Sequence, residues 1–160
     1  MGGSGSNPSP GADQPSASLS LPEAGARPDI LIVEDNAADV YLIEAAIRSA
    51  SISAELHVVK DGEQAIRFLD DADENAAPSP TLVVLDINLP KKQGGEVLEH
   101  MRASRRCSKA LVIAVSTSDS SKDREEMARL GANGYFHKPS AYQDFMKLGD
   151  AIKILLGSVA

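Results

Sequence analysis

Three short, continuously apolar runs constrain this chain more than any other feature: Ile30-Leu31-Ile32-Val33, Leu82-Val83-Val84-Leu85 and Leu111-Val112-Ile113-Ala114-Val115. Runs of four or five residues without polar alternation suit strands buried on both faces, which is the pattern of a parallel sheet covered by helices. Two weaker strands are expected at Glu55–Val59 and Gly134–Phe136. The intervening segments carry apolar residues at helical spacing. Ile43, Ala46 and Ile47 share one face, as do Ala65, Ile66 and Leu69, and Phe145, Leu148, Ile152 and Leu155 form the clearest stripe. Asn36 is placed to cap the first helix, and Asp61 followed by Gln64 has the spacing of a capping box. The order predicts five repeats of strand then helix, hence an α/β fold: a doubly wound, five-stranded parallel sheet with helices on both faces.

In such a sheet, ligands bind beyond the carboxyl ends of the strands. The first strand ends in Glu34-Asp35, the third in Asp86, the fourth in Ser116-Thr117, and the fifth runs into Lys138-Pro139. Taken singly, each has an ordinary reading. Asp35 can cap a helix, Lys138 can be a solvated loop residue, and Ser116 can satisfy a local backbone group. Asp86 is harder to dismiss, because an unpaired carboxylate after four buried residues is costly. Their convergence on one rim decides the matter. Three carboxylates at one point repel strongly unless a cation sits among them, and hard oxygen ligands suit magnesium held together with phosphate oxygens. A carboxylate nucleophile, Mg2+, a lysine and a hydroxyl form an electrostatic cradle for phosphoryl transfer.

Beyond single residues, the stretches Ile-Leu-Ile-Val-Glu-Asp-Asn (30–36), Leu-Asp-Ile-Asn-Leu-Pro (85–90), Val-Ser-Thr (115–117) and Gly-Ala-Asn-Gly-Tyr-Phe-His-Lys-Pro (131–139) occur in one order. Over residues 29–156 the chain resembles the receiver domains of bacterial-type response regulators, whose (βα)5 sheet is flavodoxin-like. The resemblance implies a two-component signalling protein that takes a phosphoryl group on Asp86 from a sensor histidine kinase, an acceptor rather than an enzyme. It implies Asp35 as the main metal carboxylate, with Asp86 and the backbone carbonyl of Asn88 completing the protein's ligands and Glu34 touching the ion directly or through water. Lys138 would bridge phosphate and carboxylate. Ser116, with Thr117 beside it, would close on the phosphoryl group, and Tyr135 would swing inward behind it. Glu-Asp-Asn-Ala-Ala-Asp-Val (34–40) and Asn-Leu-Pro-Lys-Lys-Gln-Gly (88–94) further resemble single-domain regulators that accompany phytochrome-type kinases. By the same resemblance, a homodimer is expected through the face of helix four, strand five and helix five.

Composition sets outer bounds. With 160 residues, 42% of them hydrophobic, the chain supports one domain, expected at residues 29–158. Residues 1–28, rich in Pro, Gly and Ser, read as a disordered tail. No apolar run approaches a membrane span, the amino terminus lacks the layout of a signal peptide, and a lone Cys107 fits a reducing, cytoplasmic setting. A net charge of −7 disfavours nucleic-acid binding. With only Gly157–Ala160 after the last helix, output is expected through contact with other proteins.

Two rival chemistries fare poorly. A haloacid-dehalogenase phosphatase needs an acid two residues after the nucleophile, where Asn88 stands. Nucleotide binding needs a Gly-rich phosphate loop, which is missing. A pseudo-receiver that binds partners without phosphate conflicts with the complete acidic set. His57, His100 and His137 are expected in surface or packing roles. Arg102, Arg105, Arg106 and Lys109 read as a solvated basic loop, and Cys107 as a loop cysteine rather than an activated thiol.

Overall fold

The structure, a computed structural model, describes residues 27–158. Its elements run β1 (Asp29–Val33), α1 (Ala37–Ser49), β2 (Glu55–Val59), α2 (Gly62–Glu74), β3 (Leu82–Asp86), α3 (Gly94–Arg102), β4 (Leu111–Ser116), α4 (Ser121–Leu130), β5 (Gly134–His137), α5 (Tyr142–Phe145) and α6 (Lys147–Gly157). All strand pairs are parallel, in the order β2-β1-β3-β4-β5. The three apolar runs are the three central strands. Both weaker strands form, and they flank the centre as the sheet's edges.

Strand alternation divides the core into two layers. Ile30, Ile32, Leu82, Val84, Ile113 and Val115 pack under Ile43, Ala46 and Ile47 of α1 and Leu148 and Ile152 of α6. Leu31, Val33, Val83, Leu85, Val112 and Ala114 pack against Ala65, Leu69, Val97, Leu98 and Met127 from α2, α3 and α4. Each of these large side chains contributes about 1.5–3 kcal/mol by leaving water. Ile66, expected on the buried face of α2, is only partly covered.

The fifth repeat departs from the expected single helix. Phe145, Leu148 and Ile152 are buried as the stripe requires, and Leu155 is partly buried, but the helix breaks at Met146. There Gly149 N–H bonds Met146 O, a tighter i→i−3 turn. Gly149 sets α6 directly on α1, since a β-carbon at that position would lie 2.1 Å from Ala46 O.

The caps are as read, with one change. Asn36 accepts from Asp39 N–H at 3.0 Å, and Asp61 accepts from Gln64 N–H at 2.8 Å. Gln64 Oε1, however, accepts from Lys60 N–H at 2.9 Å instead of closing a box on Asp61. Of the predicted tail, residues 1–26 lie outside the described residues. Pro28 O accepts from Glu55 N–H at 2.9 Å, and Arg27 pairs with the Glu55 carboxylate.

Candidate phosphoacceptor and metal site

The parallel register brings the strand ends together in steps. Val33 faces Leu85, so Glu34 is level with Asp86. Asp86 faces Val115, one residue short of Ser116, and Ser116 faces His137, one residue short of Lys138. Glu34, Asp86 and Ser116 are buried, while Asp35 is exposed at the mouth. One carboxylate oxygen from each of Glu34, Asp35 and Asp86 lies within 4.8 Å of the others. Octahedral Mg2+ with bonds of about 2.1 Å spaces its ligands about 3 to 4.2 Å apart, so this trio needs little movement to hold such an ion.

Lys138 is nine-tenths covered, and its ammonium faces three carboxylates: Glu34 Oε1 at 2.8 Å, Asp39 Oδ2 at 2.9 Å and Asp86 Oδ2 at 3.5 Å. Burial alone would lower the lysine's pKa. The hydrogen bonds to Glu34 and Asp39, with the charge of Asp86, outweigh burial and hold it above its ordinary value. Glu34 moves the other way. Burial lifts its carboxyl well above the carboxylate range, Lys138 opposes the rise and Asp86 adds to it. The two directions agree on one physical fact: a single cation serves too many carboxylates. A hard divalent cation would relieve that excess, so the donor set fits the metal.

Asn88 N–H donates to Asp86 Oδ1 at 2.9 Å and orients the carboxylate, and its side-chain amide lies 3.4 Å from Ser116 Oγ. Ser116 Oγ also accepts from Ser118 N–H at 2.9 Å. Tyr135 reaches this region through Ser118, donating from its hydroxyl to Ser118 O at 2.9 Å, with the Arg124 guanidinium 4.6 Å above its ring. Thr117 is exposed, and His137 Nε2 contacts its backbone carbonyl at 2.9 Å. The structure therefore joins Glu34, Asp35, Asp86, Asn88, Ser116 and Lys138 in one site, links Tyr135 to it through one residue, and leaves the Thr117 side chain outside.

Sequence reading missed two members. Asp39 contacts Lys138 across 99 residues of chain. Its only sequence signal is an acidic residue three positions after a helix cap, which reads as a favourable charge at a helix start. Ser118 was hidden inside a run of serines.

The basic loop also differs from expectation. Arg102 is partly buried, and its guanidinium donates to the carbonyls of Ser108 (2.8 Å), Ala110 (2.7 Å) and Gly131 (2.5 Å). Arg106 N–H donates to Asp73 Oδ1 and its side chain to Ala72 O. Asp73 is the anchor: Ser104 Oγ and the N–H groups of Arg105 and Arg106 converge on its carboxylate and lower its pKa. Cys107 lies in the core, and burial pushes its thiol up, away from reactivity. His57 and His100 pair with Asp29 and Asp70 at 2.9 and 2.8 Å, consistent with packing roles.

The site and the fold have counterparts among known proteins. The family model described as response regulator receiver domain matches residues 30–149. The response regulator Rcp1 of Synechocystis sp. is 34% identical over 125 residues, 78% of this chain and 85% of Rcp1. The crystal structure of the Mn2+-bound form of Rcp1 superposes with a TM-score of 0.70 at 32% identity, covering 79% of this chain and 91% of that one. That of the phosphorylated cyanobacterial phytochrome response regulator RcpA gives a TM-score of 0.74 at 33% identity, covering 84% and 97%. No helix among the described residues is long and apolar enough to cross a membrane. With the sheet order, the acidic trio and the family match in agreement, this chain belongs to the response regulator receiver domain family.

Proposed function

We propose that the unit spanning residues 29–158 accepts a phosphoryl group on Asp86 from a sensor histidine kinase and signals by a change of conformation. The observation that carries this reading is the buried Asp86 carboxylate, flanked by Glu34 and Asp35 and faced by the Lys138 ammonium at 3.5 Å. In the transfer, an Asp86 carboxylate oxygen forms a bond to phosphorus as the P–N bond to the donor imidazole breaks. The electron pair leaves with that nitrogen, and the ring, which carries a proton on its other nitrogen, departs as neutral imidazole. Lys138 offsets charge on the phosphoryl oxygens, and Ser116 Oγ–H donates to one of them, with Thr117 at the rim beside it. Asp35, Asp86, Glu34 and the Asn88 carbonyl would hold Mg2+, which supplies charge neutralisation at the phosphoryl group. The protein is the recipient of the group, not a turnover catalyst.

The kinase partner is proposed to be of the phytochrome type, on the strength of the likeness to the phytochrome response regulator RcpA. A cytoplasmic setting accords with a lone, buried cysteine. A homodimer through α4, β5 and the α5–α6 layer is proposed as the output, since α4 offers Lys122, Arg124 and Arg129 interspersed with Asp123, Glu125 and Glu126. The test is incubation with acetyl phosphate and Mg2+, followed by intact-mass analysis. Wild type should gain one phosphoryl group and Asp86→Asn none. Label retained by the Asp86→Asn protein would overturn the assignment.

A further inference from the structure

Lys138 spends its short hydrogen bonds away from the nucleophile. Its ammonium lies 2.8 Å from Glu34 Oε1 and 2.9 Å from Asp39 Oδ2, but 3.5 Å from Asp86 Oδ2. Asp39 is held in place from the first turn of α1, where its own N–H donates to Asn36 Oδ1 at 3.0 Å. It is not one of the acidic trio around the candidate metal position, and its side chain is about one-quarter exposed. Resting on the reading of Asp86 as acceptor, we propose that Asp39 is a positioning residue that restrains Lys138, so that an incoming phosphoryl group must draw the ammonium off Asp39 before it is fully engaged.

Two physical effects share one sign. Glu34, Asp39 and Asp86 surround one lysine, and Asp35 stands beside Glu34 and Asp86. Removing Asp39 deletes one of these negative charges, which eases entry of an anion. It also frees one donor of the ammonium, which the buried Glu34 carboxylate still keeps in the site. A cation responds in the opposite direction. It loses a nearby negative charge, and the freed lysine competes with it for Glu34 and Asp86. The alternative for Asp39 is a purely local one, a favourable charge at the start of a helix. That role would change thermal stability without opposite effects on anion and cation, and without any dependence on Lys138.

The experiment uses the full chain and calorimetric titration with two probes, Mg2+ alone and beryllofluoride at saturating Mg2+. For Asp39→Ala we expect beryllofluoride affinity to rise about tenfold and Mg2+ affinity to fall about threefold, on the scale of one charge moved near a partly solvated site. Asp39→Asn keeps an acceptor for the lysine but loses the charge, and should show the same signs with smaller size. In a Lys138→Met background the gain from Asp39→Ala should shrink to threefold or less, because only through-space repulsion remains. Weaker beryllofluoride binding in Asp39→Ala, or an equal gain with and without Lys138, overturns the proposal. If the Ala variant does not fold, the Asn variant decides by the sign of its beryllofluoride shift. Beryllofluoride binding by Asp86→Asn is a separate outcome, and it would overturn the acceptor reading instead.

Discussion

Glu34 gives one carboxylate oxygen to Lys138 at 2.8 Å and the other to the N–H of Asn36 at 3.2 Å, while the same carboxylate stands in the acidic trio with Asp35 and Asp86. Burial pushes its pKa from 4.5 up to about 7. In the metal-free protein a carboxyl raised in this way contributes stability that is complete below about 4.5 and is lost as pH rises through about 7. A cation binds the ionised form. Mg2+ affinity should therefore climb between pH 5.5 and about 7 with release of up to one proton per ion, then level off. Calorimetry in two buffers of different ionisation enthalpy measures that proton. Mg2+ affinity that is flat over this range in wild type, or unchanged in slope for Glu34→Gln, would count against the role of Glu34.

A second prediction concerns how Asp86 is held from behind. A β-carbon on Gly94 would stand 2.5 Å from Ile87 Cα and 2.9 Å from Asp86 O, and both neighbours are backbone. Gly94→Ala must shift the peptide that carries the nucleophile, and overpacking of this kind costs about 1–3 kcal/mol. Gly95 next to it meets Leu130 Cδ1 at 3.2 Å and Met127 Cε at 3.6 Å, both ends of side chains that can move, and Ala there gains helix propensity of about 1 kcal/mol. Gly94→Ala should thus lower both urea stability and the rate of acetyl-phosphate labelling, and Gly95→Ala neither. Equal behaviour of the two variants would show that the close approach at Gly94 does not govern the site.

Much of this was legible from residue order because the central strands are buried on both faces, which forces continuous apolar runs and fixes where they stop. Once the strands were placed, Glu34, Asp35, Asp86, Ser116 and Lys138 followed, since parallel pairing puts all carboxyl ends on one rim. What depended on contacts across the chain was not legible. Asp39 looks like any acidic residue in a first helical turn until α1 is set beside the end of β5. Arg102 looks like part of a solvated basic run until the α3–β4 loop and the end of α4 fold their carbonyls around it. The stripe at Phe145, Leu148, Ile152 and Leu155 gave the buried face correctly, but apolar spacing carries no mark of the tighter turn at Met146.

Arg102 supports a stability prediction. Its guanidinium holds three carbonyls from two segments, those of Ser108 and Ala110 in the α3–β4 loop and of Gly131 after α4. Arg102→Met keeps the stem but removes every donor, and a hydrogen bond from a charged group contributes about 1.5–3 kcal/mol. Because the site is only partly buried and water can reach it, a loss of about 2 kcal/mol is expected. Lys109, exposed in the same basic run, should change stability by no more than about 0.5 kcal/mol when replaced by Ala. Urea denaturation of both variants checks this, and a Met variant as stable as wild type would return Arg102 to the class of solvated loop residues.

The remaining prediction concerns the link between the acceptor and the surface. Ser116 Oγ receives Ser118 N–H at 2.9 Å, Ser118 O receives the Tyr135 hydroxyl at 2.9 Å, and Arg124 of α4 covers the Tyr135 ring at 4.6 Å. If the Ser116 hydroxyl turns to a phosphoryl oxygen, the Ser118 loop must adjust, Tyr135 loses its fixed acceptor, and Arg124 loses the ring beneath it. The change reaches α4, whose mixed charges suit an isologous contact about a two-fold axis. A ligand shifts such an equilibrium only through contacts that differ between the two states. Beryllofluoride with Mg2+ should therefore tighten self-association of the wild type about tenfold. Tyr135→Ala should associate to the same extent with and without it. Sedimentation velocity over a concentration series measures both. A wild type that stays monomeric in every condition would remove the dimer, and a Tyr135→Ala protein that still responds to beryllofluoride would show that the signal leaves the site by another route.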